Sequence, residues 1–174
     1  MLQHSLSFTS NIETGALLVQ DVAGTYRAAE PQEVMAAAMR MLAGQLRGTE
    51  VLLDSPAVAR DYLRLKLGTL EHEVFAVIHL DAQHRVIEYV EMFRGTVSQA
   101  SVYPREVVKE ALAHNSAALM LVHNHPSGTA TPSRADEALT MTLRKALELV
   151  DVRVIDHLIV GGTEIYSMAE HGLM

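Results

Sequence analysis

Residues 117–122 form an unbroken run of six apolar side chains, and this run constrains the fold more than any other part of the sequence. A strand that lacks polar alternation is apolar on both faces, so each face must be covered. Such a strand belongs inside a sheet that carries helices on both sides. The run therefore predicts an α/β protein in which a sheet lies between two layers of helices.

Helix-like and strand-like segments alternate along the rest of the chain, which predicts a mixed sheet flanked by helices. Prolines at first helical positions and apolar residues three or four apart predict helices over 31–46, 55–68, 103–112 and 132–150. Short runs rich in Val, Ile and Phe predict strands over 74–80, 86–93, 152–160 and 165–168, with a weaker signal at 15–22. Ser55 is the expected N-cap of the second helix.

A change of pattern between residues 47 and 55 predicts two parts. Residues 1–50 form an N-terminal extension with one helix, and residues 51–174 form a domain long enough to bury a core.

The composition excludes several classes of protein. The 174 residues include no cysteine, which excludes disulfide scaffolds, thiolate metal sites and cysteine nucleophiles. Any metal site must therefore use His, Asp and Glu. No apolar run is long enough for a membrane span and no secretory signal is visible, so we expect a cytoplasmic protein without a membrane partner. The net charge of −7 does not support a non-specific nucleic-acid binder.

The segment after the apolar run carries the chemistry. His123 and His125 are two residues apart on an extended backbone, so both imidazoles should point to one side. Pro126 and Gly128 predict a sharp turn, after which Asp136 falls in the first turns of the next helix. Two imidazoles and one carboxylate make a three-ligand Zn²⁺ site with a fourth position open for water.

Ser133 and Asp136 also fit a different function, because a serine three residues before an acidic residue resembles a helix capping box. Thr131 followed by Pro132 is a competing N-cap, and it would leave Ser133 and Asp136 free for other work.

The pattern His-x-His, seven residues, Ser, two residues, Asp resembles the signature of the JAMM (MPN-type) metalloproteases. Over residues 55–174 the chain resembles the bacterial RadC-like branch of that superfamily, on the segments 93–96, 102–107, 123–128, 132–133 and 156–160. The helix-hairpin-helix region of longer relatives is not evident before residue 55, so the chain looks like a short form. The resemblance implies the MPN/JAB fold, a three-layer architecture like that of cytidine deaminases. Deaminase chemistry itself needs a cysteine pair and is excluded.

The resemblance also implies roles for individual residues. His123, His125 and Asp136 look like the zinc ligands, and Ser133 resembles the serine that supports the oxyanion. The family's general base is an upstream glutamate at the start of a strand. Glu73 is the best match for that base, Glu91 is the runner-up and Glu71 is a weaker option.

Asp156 and His157 have two interpretations. Ligating imidazoles need acceptors for their second N–H, and these residues could serve as such supporting groups. Alternatively, they are ordinary hydrogen-bonded residues of the sheet.

The expected function is that of a zinc-dependent metallopeptidase or isopeptidase that uses a metal-activated water on an unidentified peptide or protein. One alternative is a non-catalytic interaction module on the same fold. Another is a DNA-repair accessory protein, as the family name suggests, with Arg134, Arg144 and Lys145 as a local basic strip. Assembly as a homo-oligomer is left open.

Overall fold

A computed structural model describes residues 8–10, 17–20, 23–46, 56–95 and 101–174. Its elements in chain order are β1 Phe8–Ser10, β2 Leu17–Gln20, β3 Tyr26–Ala28, α1 Pro31–Leu46, α2 Pro56–Leu67, β4 Val74–Leu80, β5 Val86–Arg94, α3 Pro104–Ala113, β6 Ala118–Asn124, α4 Arg134–Glu148, β7 Arg153–Gly161 and β8 Glu164–Ser167. The chain divides into two compact units, Met1–Leu42 and Ala43–Met174. The predicted boundary at residues 50 and 51 and the expected N-cap Ser55 lie outside the described residues.

The first unit contains a small antiparallel sheet in the order β1-β2-β3. Strand β2 lies within the predicted segment 15–22, and Val19 is its buried residue. The sequence analysis did not predict β1 and β3. Strand β3 is exposed along its length, so it has no apolar periodicity to detect.

The second unit is built on a five-stranded mixed sheet in the order β5-β4-β6-β7-β8. Strands β6 and β7 are parallel, and the other neighbouring pairs are antiparallel. The predicted mixed sheet is therefore confirmed. The apolar run lies in β6, in the middle of the sheet, as its lack of polar alternation requires.

Successive residues of β4 and β6 point to opposite faces of the sheet, and both faces are covered. Ala76 and Ile78 pack with α2, whereas Phe75 and Val77 pack with α3 and α4. This arrangement confirms the predicted three layers. None of the helices in the described ranges combines the length and apolar character needed to cross a membrane.

Strand β6 is longer than the apolar run, because it continues through His123 and Asn124. The sequence analysis placed the end of this strand at residue 122. Both polar residues are 1% exposed and hydrogen-bonded, so the strand continues without burying an unpaired polar side chain.

Candidate metal centre

His123 and His125 converge at the end of β6. His123 is paired with Phe75 of β4, so its imidazole lies on the face of the sheet that carries α3 and α4. The backbone N–H of His125 donates to the carbonyl of Val160 at 2.8 Å. This bond keeps the chain extended beside β7 from His123 to His125. As a result, the two Nε2 atoms are only 3.0 Å apart.

Asp136 reaches the same point from the first turn of α4. Its Oδ1 lies 3.2 Å from Nε2 of His123, and its Oδ2 lies 3.5 Å from Nε2 of His125. The structure thus brings together the three residues that the sequence analysis predicted as ligands. They form a group of side chains able to hold a metal ion.

The start of α4 differs from the prediction. Ser133 is the N-cap and the helix begins at Arg134, so Thr131 is not the cap and Pro132 is not the first helical residue. Ser133 Oγ accepts from the N–H of Asp136 at 3.2 Å, and Asp136 Oδ2 accepts from the N–H of Ser133 at 2.6 Å. This is the capping box weighed above. It does not compete with metal binding, because the Ser133 N–H holds Oδ2 and thereby orients Oδ1 towards His123.

The second nitrogen of each histidine ring is also bonded. Nδ1 of His125 lies 2.7 Å from the carbonyl of Thr129, which only accepts, so this Nδ1 carries the proton and a neutral His125 has a bare Nε2. Nδ1 of His123 lies 2.8 Å from Nε2 of His157, a fully buried residue of β7. A bond from the second ring nitrogen to a backbone carbonyl, as in His125, is typical of ligating histidines.

The electrostatics favour a cation at this point. Burial alone would raise the pKa of Asp136, but the adjoining imidazoles of His123 and His125 and the hydrogen bond from Ser133 outweigh it and hold the pKa well below its usual range. The Asp136 carboxylate in turn raises the pKa of His125, against the opposing effect of burial. Burial lowers the pKa of His157 well below its ordinary value. The centre therefore combines an ionised carboxylate with imidazoles that attract a proton or a metal.

The distances fit zinc. Four ligands at about 2.0–2.1 Å in a tetrahedron lie roughly 3.3 Å from one another. The two Nε2 atoms are 3.0 Å apart, and each has its own nearest oxygen of Asp136, Oδ1 at 3.2 Å from His123 and Oδ2 at 3.5 Å from His125, so all three separations are close to that value. Two nitrogens and one oxygen are also a ligand set that zinc accepts in sites with one open position.

Glu73 stands immediately before β4. The charge of its carboxylate contributes to raising the pKa of His125, which places it within electrostatic reach of the site. The side chain of Asn124 holds the backbone on both sides of it, because Oδ1 accepts from Val74 N–H at 2.8 Å and Nδ2 donates to the carbonyl of His72 at 3.1 Å.

Glu91 is placed differently. It is paired with Ala76, whose side chain faces α2, and its carboxylate binds Lys66 at 2.9 Å. This is the face of the sheet opposite to His123, so Glu91 is directed away from the candidate ligands. Glu71 is exposed.

Asp156 and His157 are adjacent but have different surroundings. The Asp156 carboxylate accepts hydrogen bonds from the N–H groups of His157 and Ala169 and from the Ser167 hydroxyl, so it ties the segment after β8 to β7. Of the two residues, His157 is the one bonded to a candidate ligand.

Sequence reasoning missed Asn124 and Thr140. Asn124 stands between the two histidines, and Thr140 is one helical turn after Asp136, where its Oγ1 lies 2.6 Å from Nδ1 of His157. Both positions are visible in the sequence, but their partners are not, because Val74 lies 50 residues from Asn124 and His157 lies 17 residues from Thr140.

Comparison with known proteins identifies the family of the chain. The model of the RadC-like JAB domain matches residues 53–173, close to the predicted extent of 55–174. A UPF0758 protein of Leptothrix cholodnii is 58% identical over 151 residues, which cover 87% of this chain and 68% of that protein. A UPF0758 protein of Variovorax paradoxus is 49% identical over 177 residues, which cover all of this chain and 78% of that protein. The chain therefore belongs to the RadC-like JAB domain family.

Proposed function

We propose that this protein is a zinc-dependent hydrolase of the JAMM metallopeptidase type, which cleaves an amide bond in a peptide or protein. The observation that carries the proposal is the convergence of His123 Nε2, His125 Nε2 and the Asp136 carboxylate within 3.0–3.5 Å. These three side chains would hold the metal. When bound, zinc lowers the pKa of a coordinated water and polarises a carbonyl group.

Glu73 would serve as the general acid and base. Its carboxylate accepts a proton as the water oxygen bonds to the carbonyl carbon, and it returns that proton to the nitrogen as the C–N bond breaks. The products are an amine and a carboxylic acid, which loses its remaining proton to water at neutral pH. The position of Glu73 near His125, with its backbone held by Asn124, supports this role.

Ser133 would stabilise the negative charge that develops on the carbonyl oxygen. Its capping bond to Asp136 uses a lone pair of Oγ and leaves the hydroxyl hydrogen to be donated. Ser133 is exposed at the start of α4, one turn before the Asp136 ligand, so a substrate has access to it. A donor held in place before the reaction is the arrangement that stabilises an oxyanion.

Metal analysis of the purified chain tests the first part of the proposal. We expect about one zinc per chain, with loss of binding in His123→Ala and Asp136→Ala. His171→Ala is the matched control, because this histidine is exposed and bonded to Ser167. Failure of the wild-type chain to bind zinc at micromolar concentration would refute the proposal.

Hydrolysis of a peptide library tests the second part. Glu73→Gln should retain zinc and lose hydrolysis, since it removes the proton acceptor and no ligand. Glu71→Gln changes an exposed carboxylate two residues away and should behave as wild type. Equal activity in the Glu73 variant and the wild type would exclude Glu73 as the base.

A further inference from the structure

Two buried polar residues behind His123 have no part in the hydrolysis described above. Thr140 of α4 and His157 of β7 are both 0% exposed. They continue a series of hydrogen bonds that begins at His123 Nδ1. His157 Nε2 lies 2.8 Å from that atom, Thr140 Oγ1 lies 2.6 Å from His157 Nδ1, and the carbonyl oxygen of Asp136 lies 2.6 Å from Thr140 Oγ1.

The last contact decides which group donates and which accepts at every step of this series of hydrogen bonds. A carbonyl oxygen only accepts, so the single hydroxyl hydrogen of Thr140 is donated to Asp136. Thr140 Oγ1 must then accept from Nδ1–H of His157. A neutral imidazole carries one N–H, so Nε2 of His157 is bare and accepts from Nδ1–H of His123. His123 is left with a bare Nε2 that points at the candidate metal centre.

Hydrogen bonds in the opposite direction would prevent His123 from binding a metal ion. If Thr140 donated to His157, then His157 would donate to His123, and Nε2 of His123 would carry the proton. Asp136 Oδ1, at 3.2 Å from that nitrogen, attracts a proton to the same place. Sδ of Met168 also lies near Thr140, at 3.6 Å, but thioether sulfur is a weak acceptor and the carbonyl at 2.6 Å is the stronger one.

We propose that Thr140, acting through His157, is a positioning residue that holds the proton of His123 on Nδ1 and keeps Nε2 free for a metal ion. The inference rests on the proposed function, because it assigns a role towards the same metal centre. Asp136 then acts on His123 from both sides. Its carboxylate lies beside Nε2 of His123, and its backbone carbonyl, through Thr140 and His157, holds the proton on Nδ1 of the same ring.

Thr140→Val tests the inference, since valine has nearly the shape of threonine and lacks the hydroxyl. We expect zinc affinity, measured by competition with a chelator, to fall about 10–100-fold, as for other groups that support a ligating histidine. Thr140→Ser restores the hydroxyl and should lie within about threefold of wild type on that scale. Thr140→Ala removes the same hydroxyl and serves as a second variant should valine disturb the fold.

Thr142→Val is the matched control. Thr142 lies on the same helix and makes the same kind of bond to the carbonyl four residues earlier, but it is exposed and its hydroxyl bonds Ala138 at 2.8 Å instead of completing a chain to a histidine. Its zinc affinity should equal that of wild type. A fall as large as that of Thr140→Val would show a general effect on α4 and overturn the inference.

Nitrogen-detected NMR of the metal-free protein at pH 8 reports which ring nitrogen of each histidine carries the proton. A purely structural role of Thr140 would leave these tautomers unchanged. Wild type should show His157 protonated on Nδ1, and Thr140→Val should shift that proton to Nε2. Unchanged tautomers together with unchanged zinc affinity in the valine and alanine variants would refute the role of Thr140. Absence of zinc binding in wild type would instead refute the proposed function.

Discussion

Asn124 accepts a hydrogen bond from the backbone N–H of Val74 at 2.8 Å, and this bond ties the end of β6 to the start of β4. The same side chain donates to the carbonyl of His72, so both peptide groups that flank Glu73 are held by one buried amide. The carbonyl of Glu73 itself accepts from Gly95 N–H at 2.8 Å. The middle residue of the His-x-His pattern thus anchors the candidate base.

Asn124→Ala should therefore lower both stability and hydrolysis. It leaves the buried N–H of Val74 without its partner, at a cost of about 1–3 kcal/mol in the free energy of unfolding. Urea denaturation measures that loss. Hydrolysis should fall by more than zinc affinity does, because Glu73 is not a ligand. A variant that loses zinc but keeps its activity per bound zinc would contradict this role.

Asn124→Asp separates the two hydrogen bonds. A carboxylate still accepts from Val74 N–H, but it cannot donate, and its second oxygen faces the carbonyl of His72. We expect no rescue relative to alanine. Wild-type stability in the aspartate variant would show that the bond to His72 contributes nothing.

The four helices, the strands β4 and β5 and the three candidate ligands were predictable, because each depends on local spacing. Proline positions and apolar periodicity mark the helices, and the two histidines share a face wherever the backbone is extended. Asp136 follows from the turn and the helix that come next.

The supporting residues were not predictable from the sequence, because their roles depend on the sheet order and the pairing register. His157 meets His123 only because β6 and β7 are parallel neighbours. Glu91 was a reasonable candidate until its pairing with Ala76 placed it on the other face. The predicted start of α4 was wrong because serine and threonine are both favoured N-cap residues. Only the hydrogen bonds between Ser133 and Asp136 show which of the two caps the helix.

Gly161→Ala should disturb the metal centre through the backbone. A Cβ at Gly161 would lie 2.6 Å from the carbonyl carbon of Thr129 and also against Ala130, in the loop whose Thr129 carbonyl holds His125. Such overpacking costs about 1–3 kcal/mol, and moving the loop should also lower zinc affinity. Thermal unfolding and chelator competition measure the two effects.

Gly68→Ala is the matched control for that change. Its Cβ would lie 2.6 Å from the carbonyl oxygen of Arg64 and against Gly162, so the clash is of the same kind. Arg64 belongs to α2 and Gly162 follows β7, and neither residue is in the loop of His125. The control should lose stability and keep its zinc affinity. Loss of zinc in both variants would mean that affinity follows global stability alone.

His79 should make the stability of the fold depend on pH. Burial, assisted by the neighbouring His114 ring, lowers the pKa of His79 from 6.5 to about 4. Between those values the unfolded chain binds a proton that the folded chain does not, so stability is greatest above pH 6.5 and declines as the pH falls towards 4. The decline due to this residue is at most about 3 kcal/mol.

His79→Gln removes that titration. Denaturation by urea at pH 7 and pH 4.5 should show a smaller difference in the variant than in wild type. The variant should be less stable at pH 7, since His79 is fully buried and bonded to Ser116 at 2.8 Å. Equal pH dependence in both proteins would show that His79 has the same pKa in the folded and the unfolded chain.

Ser133 combines capping with the proposed oxyanion role, and three substitutions separate the two. Ser133→Ala removes the cap and the hydroxyl, so it should cost about 1 kcal/mol of stability and reduce kcat by about 10²–10³. Ser133→Gly costs only about a few tenths of a kcal/mol at an N-cap position and has no side-chain donor, so it should nearly keep stability and lose kcat. Ser133→Thr retains both and should remain active. If the glycine variant were as active as threonine, Ser133 would be a cap alone, because glycine has no side-chain hydrogen to donate to an oxyanion.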